Sequence, residues 1–275
     1  MNYTARLAAT TAAAAAFAAG AFCAAPVRAQ EQDGARDSIN AGRPDFVESS
    51  NVVGKGRLQL ETGVVWERDR GGGGRERILS TPTLLRIGVA DTVELRVETA
   101  GRVVRHASEN GERATQAGYG DAALGVSWHA MDAAGSLPSV GVLLSADLDT
   151  GSRAFRGQGV RPSLRVVGEW DLPNGYALGV MPGIGVERDD GHGGRYRYGI
   201  LGVIVAKSFG ERLRGLVEVA MPHIARSAHG GTQASFDVGA AYLLSRDVQI
   251  DAMLSRGLNS RTPDLALTVG LSIRR

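Results

Sequence analysis

From Gly56 to the C-terminus, apolar and polar residues alternate in about twelve short segments. In Val93–Glu94–Leu95–Arg96–Val97–Glu98, the residues Val93, Leu95 and Val97 share one face and Glu94, Arg96 and Glu98 the other. Successive side chains of a strand point to opposite faces, so these segments describe a sheet with one apolar and one charged side. A soluble periplasmic sandwich or a lipocalin-like barrel would share this period. The leader, the number of segments and the rhythm of their connections separate the cases.

The leader reads as a secretory signal. Arg6 gives a thin positive region, Leu7 to Ala25 is an Ala-rich apolar run, and Val27–Arg28–Ala29 offers small residues for cleavage before Gln30. Cleavage over residues 1–29 would remove Cys23, the one cysteine, and with it any disulfide or thiol chemistry. It would also remove Arg6 and Arg28, taking the formal charge from +2 to about zero. A neutral chain lacks the basic field that nucleic acid would need.

Residues 30–55 are polar and aperiodic, and are expected to form an extended periplasmic or plug-like segment. The expected strands are 57–67, 77–89, 92–105, 118–130, 139–150, 160–171, 176–188, 196–208, 213–226, 233–244, 248–256 and 264–274. One set of links is tight and rich in turn formers: Ala90–Asp91, Met131–Pro138, Pro173–Gly175, Gly210–Arg212 and Ser245–Asp247. The other set is longer and Gly/Arg-rich: Arg68–Glu76, His106–Ala117, Gly151–Gly159, Asp189–Arg195, Ser227–Thr232 and Gly257–Pro263. Short turns at one end and long loops at the other are the habit of outer-membrane barrels. The longest uncharged runs, Pro138–Ala146 and Tyr198–Ala206, are too short for a membrane helix but suit a tilted membrane strand.

The expected fold is therefore all-β: an antiparallel up-and-down transmembrane β-barrel of about twelve strands, residues 56–275, in the outer membrane of a Gram-negative bacterium. Its lipid face would collect residues such as Leu58, Leu60, Leu95, Val97, Leu124, Val126, Leu144, Val238, Leu267 and Val269, with Trp66, Trp128, Trp170 and Tyr242 toward the strand ends. The opposite, lumen-lining face would carry Glu61, Glu94, Arg96, Glu98, Arg102, Asp121, Arg165, Glu169, Arg214, Glu218, Asp237 and Asp251. Gly63, Gly125, Gly179, Gly183 and Gly239 fall on that face and leave interior room or relieve curvature.

The segments Gly42-Arg43-Pro44-Asp45-Phe46-Val47-Glu48-Ser49-Ser50 and Gly56-Arg57-Leu58-Gln59-Leu60-Glu61-Thr62-Gly63 resemble the N-terminal signature of the "putative MetA-pathway of phenol degradation" family. Further similar blocks are Leu84–Asp91, Val93–Arg96, Gly118–Asp121, Asp237–Ser245 and Ser255–Asn259. Their order and spacing carry the resemblance across about Gly42 to Ile273. It implies an outer-membrane "transporter" barrel connected with aromatic compounds, and it offers no catalytic residues to carry over.

The residues themselves suggest no enzyme, cofactor or metal site. Of the five histidines, His106, His129, His192, His223 and His229, three fall in the long links or at their edges, share no ligand spacing and read as solvated loop histidines. An Asp/His site with Asp189 and Asp190, or an acyl-hydrolase site with Ser227, is the weaker enzymatic alternative. The Gly71–Gly74 run is followed by neither Lys-Ser/Thr nor a helix, as a phosphate loop would require. The expected function is passive passage of small compounds, aromatic or hydrophobic. A plugged structural or binding barrel is the alternative, because opposite charges can close a narrow lumen. Expected partners are outer-membrane lipids, lipopolysaccharide, the barrel assembly machinery and an unidentified small solute. Arg68, Arg70, Arg75, Arg77, Arg153, Arg156, Arg188 and Arg195, in or beside the long links, are the candidates to meet lipopolysaccharide phosphates.

Overall fold

The computed structural model describes residues 38–71, 74–188 and 194–275. The leader and its cleavage point, Cys23, Gly73, Asp189, Asp190 and His192 lie outside the described residues.

Fifteen strands follow one another: β1 (Leu58–Asp69), β2 (Gly74–Ser80), β3 (Thr83–Gly88), β4 (Val93–Thr99), β5 (Arg102–Glu109), β6 (Glu112–Tyr119), β7 (Ala122–Met131), β8 (Ser139–Asp147), β9 (Arg161–Leu172), β10 (Tyr176–Arg188), β11 (Arg195–Phe209), β12 (Leu213–Ile224), β13 (Gln233–Ser245), β14 (Val248–Gly257) and β15 (Leu265–Arg274). All pairings are antiparallel. Twelve strands, β1, β3, β4 and β7 to β15, close a ring, because β15 returns to pair with β1 from Gln59↔Arg274 to Arg68↔Leu265. Closure removes the sheet edges that a strand in lipid could not leave unpaired.

The second, third and fourth expected strands are each broken once, at Thr81–Pro82, Ala100–Gly101 and Gly120–Asp121. The breaks lie side by side. The Thr81 amide donates to the carbonyls of Ala100 (3.2 Å) and Arg102 (3.1 Å), and the Gly120 amide donates to Gly101 (2.9 Å). Pro82 has no N–H for the ladder, and Gly101 has φ +64°, which resets the alternation. Beyond the breaks, β2, β5 and β6 form an extension that pairs with the half of β1 away from the short turns. The segment expected as a loop, His106–Ala117, is instead most of the β5–β6 hairpin. Its turn is Asn110–Gly111, with φ +50° and +87°, the positive pair of a type I′ turn.

The edge of β6 is met by the loop 148–160. The Ser152 amide donates to the Tyr119 carbonyl (2.8 Å), and the Tyr119 amide donates to Ser152 Oγ (2.9 Å). Asp121 accepts from the amides of Gly151 (2.8 Å) and Gly157 (2.8 Å) and pairs with Arg161 (2.6 Å). Burial pushes the Asp121 carboxyl up. The Gly157 amide, Arg161 and the Gly151 amide outweigh that and hold it below the usual carboxylate range.

The outward face is apolar around the ring. Leu58, Leu60, Val64, Leu95, Val97, Leu124, Val126, Leu144, Val238, Leu267 and Val269 are all exposed. A soluble protein would not expose a contiguous belt of this kind. Trp128, Tyr176, Phe209 and Tyr242 lie exposed toward the short-turn end, and Lys207 Nζ sits 3.9 Å from the Tyr176 ring centre. The polar tips of Trp128, Tyr176, Tyr242 and Lys207 on apolar bodies suit a membrane boundary. Leu95→Arg should therefore cost about 2–4 kcal/mol of folded-barrel stability. Denaturant titration in lipid vesicles checks the figure, and an unchanged midpoint would refute the facing of β4.

Candidate functional site: a chain segment seated in the lumen

The described part of the N-terminal segment, from Ser38 to Lys55, runs through the lumen. It enters at the short-turn end, where the Ile39 amide donates to the Arg246 carbonyl (2.7 Å) and Arg274 donates to the Ser38 carbonyl (3.3 Å). It turns back within the barrel and leaves by the same end. There the Gly56 amide donates to Gly88 (2.8 Å) before β1 begins.

Inward-facing charges of the wall hold it. On β12, Glu218 accepts from two successive amides, Phe46 (2.8 Å) and Val47 (2.7 Å), and Arg214 pairs with Asp45 (2.7 Å). Asp251 on β14 faces Arg43 at 3.5 Å. Glu48 is clasped by Arg96 of β4 (2.9 Å) and Arg165 of β9 (3.3 Å). Glu169 accepts from the Ser50 amide (2.6 Å) and from the Ser50 hydroxyl. Glu94 accepts from the Val53 amide (2.9 Å), and Glu61 accepts from the Gly42 amide (3.2 Å). A segment without regular structure cannot satisfy its own amides, so wall carboxylates replace the missing ladder.

Arg86 on β3 is the hub, with 2% exposure. It reaches Glu94 (2.8 Å), Glu61 (3.2 Å) and the carbonyls of Asn40 and Asn51 (both 2.9 Å). Sequence reasoning did not select it. The available signal was a lone charge inside the apolar run Leu84-Leu85-Arg86-Ile87. Gln59 (3.0 Å to the Asn40 carbonyl), His129 (2.9 Å to the Ser50 carbonyl) and Gln249 (3.2 Å to the Arg43 carbonyl) also touch the segment and were missed.

Of the residues expected to line the lumen, eight therefore meet the seated segment or its hub: Glu61, Glu94, Arg96, Arg165, Glu169, Arg214, Glu218 and Asp251. Asp237 is buried opposite Glu218 in the β12–β13 register. Glu98 borders two cavities, one beside the tip of the segment and one beyond it, and Asp121 anchors the loop 148–160. Arg102 departs from the expectation. After the Gly101 reset it is exposed, while Val103 is the buried neighbour.

One apolar contact completes the seat. Val47 is buried among Val167, Met181, Ile204, Ala206 and Leu216, a contribution of about 1.5–3 kcal/mol. Bare backbone in the wall makes room for it. A Cβ on Gly202 would stand 2.6 Å from Val47 Cγ2, and one on Gly63 would meet both the Val269 carbonyl of the neighbouring strand and, at 2.5 Å, Arg43 Nη2. The electrostatics of the tip are uneven. Burial pushes the Asp45 carboxyl up to about 6 despite the pull of Arg214. Burial also opposes the charge on Glu48, but Arg96 and Arg165 outweigh it and hold its carboxyl below the usual range.

Space remains on both sides. A cavity of about 360 Å³ at the short-turn end is bordered by Ile39, Asp45, Val47, Glu169 and Arg214. A cavity of about 670 Å³ at the other end is bordered by Glu98, Asp121, Asp147, Phe155, Arg161 and Tyr196. Between them, beside the tip of the segment, lies a third of about 230 Å³, shared by Asp45, Glu48, Arg96, Glu98 and Arg165.

The profile of the family described as "Putative MetA-pathway of phenol degradation" matches residues 41–274. The chain belongs to that family. The match begins inside the seated segment, so this member's segment and barrel fall within one family unit. No curated protein matches the chain. The fold is similar to the COG4313 outer membrane channel from Pseudomonas putida F1, with TM-score 0.60 and 12% identity, covering 82% of this chain and 98% of that one. It is also similar to the translocator domain of the autotransporter NalP from Neisseria meningitidis, with TM-score 0.50 and 14% identity, covering 80% and 88% respectively. At these identities the likeness establishes the outer-membrane barrel fold.

Proposed function

We propose that this family member is a passive channel for small compounds, aromatic ones among them, in the outer membrane of a Gram-negative bacterium. Its N-terminal segment is the gate. The observation that carries this reading is the series of cavities along the lumen, interrupted among the described residues by a segment bound through side-chain and amide contacts. A segment held in this way can leave without breaking any rung of the barrel ladder. The family description, with its reference to phenol degradation, supports aromatic solutes. The description of the Pseudomonas putida protein as a channel supports passage.

The density of ion pairs around Arg86 favours a second reading, a barrel permanently closed by its own N-terminus. Planar-bilayer recordings and liposome flux of small aromatic acids separate the two. The intact chain should pass small solutes at low conductance, and a chain lacking residues 40–52 should conduct several-fold more. An intact chain silent to every solute, with a conducting truncated form, would establish the closed barrel. No conduction by either form would refute the channel altogether.

A further inference from the structure

The outer extension separates its charges by face. Directly paired residues of antiparallel strands lie on the same side of a sheet. Trp66, Leu79, Val104 and Ala117 form one register row, and the exposed Leu79 marks that row as outward. The next outward row, one pleat farther from the short-turn end, is Arg68, Arg77, His106 and Thr115. The row beyond carries Arg75, Ser108 and Arg113. The carboxylates of the extension, Glu67, Asp69, Glu76, Glu109 and Glu112, take the alternate inner positions, where one arginine, Arg105, is paired with Glu76.

Arg68 and Arg77 stand directly opposite one another, an arrangement that repels unless something negative lies across it. Among the described residues none of Arg68, Arg75, Arg77 and Arg113 has an ion-pair partner, and Arg68 Nε is buried without a hydrogen bond. Neighbouring strands are about 4.8 Å apart, so these guanidinium groups gather within the footprint of one lipid headgroup. They begin where the apolar belt ends. Arginine meets phosphate through a bidentate fork.

We infer that this face binds the phosphates of an outer-leaflet glycolipid, whose acyl chains lie along Trp66, Leu79 and Val104. Solute passage plays no part in the argument, so a failed conductance experiment leaves it standing. The inference requires only that the long-link end face the outer leaflet.

Native mass spectrometry of the full-length folded barrel, titrated with diphosphoryl lipid A, is the test. The variant Arg68→Gln/Arg75→Gln/Arg77→Gln/Arg113→Gln should retain the lipid at least about tenfold more weakly. The corresponding Arg→Lys set, which keeps charge but loses the fork, should fall between. Heat-modifiable migration reports folding. If the fourfold variant does not fold, Arg75→Gln/Arg77→Gln, both at exposed positions, is read in its place. Unchanged retention in the Gln variant would overturn the inference. So would equal retention of an uncharged lipid, or displacement by inorganic phosphate at matched concentration, which would mark a free-anion site.

Discussion

Replacing Arg86 by leucine should destabilise the folded barrel by about 3–5 kcal/mol, the range for removing one partner from a buried ion pair. The loss has several parts. Glu61 and Glu94 would remain buried without their cation, and the carbonyls of Asn40 and Asn51 would lose a donor. Arg96, 3.9 Å from Glu94 and already committed to Glu48, compensates little. Urea titration of the barrel in lipid vesicles measures the effect. Adding Glu94→Gln to Arg86→Leu should recover part of it, because one stranded charge is gone. A single variant within 1 kcal/mol of the parent would mean that water fills this part of the lumen and screens the carboxylates.

Gly202→Val should open the barrel without unfolding it. The three atoms nearest an added Cβ are Val47 Cγ2 and two carbons of the Phe46 ring, all in the seated segment. Overpacking costs about 1–3 kcal/mol, comparable with the burial gained by Val47 in its pocket, so the tip of the segment is displaced. Single-channel conductance should rise while heat-modifiable migration stays normal. Adding Val47→Gly should return the conductance toward the parent value, since the space is restored. A conductance unchanged in Gly202→Val would show that the segment is seated by its ion pairs alone. Lost migration would show instead that Gly202 serves the wall.

Much of this architecture was readable in the chain. Period-two alternation identifies the wall, and it identifies most charged residues that turn inward, because one face must meet lipid. The three strand breaks were harder to see. Pro82, Gly101 and Gly120 were each visible, but only register places them side by side, and only the positive φ of Gly101 sends Arg102 outward. The β5–β6 hairpin hid behind polarity. Beyond Val104 its strands rise past the lipid, where no alternation is enforced, although Asn110–Gly111 was a strong local signal. Polarity without period marks the N-terminal segment as extended periplasmic or plug-like, but its seat in the wall could not be read. Its residues meet a wall drawn from strands far away in sequence, and no local period encodes such contacts. The inward glycines signalled spare room, and the chain's own Arg43 and Val47 occupy part of it.

The segment and the seam also set an order in time. Ser38 is held by Arg274, 236 residues away, and Phe46 by Glu218, 172 residues away. The ring itself closes only when the first strand meets the last. Contacts this distant must wait for most of the polypeptide, and such topologies assemble slowly. A chain halted before Leu265 would have neither seam nor gate. The N-terminus, synthesised first, is therefore among the last parts to find its place, and a seated segment is a molecular record that the C-terminus has arrived.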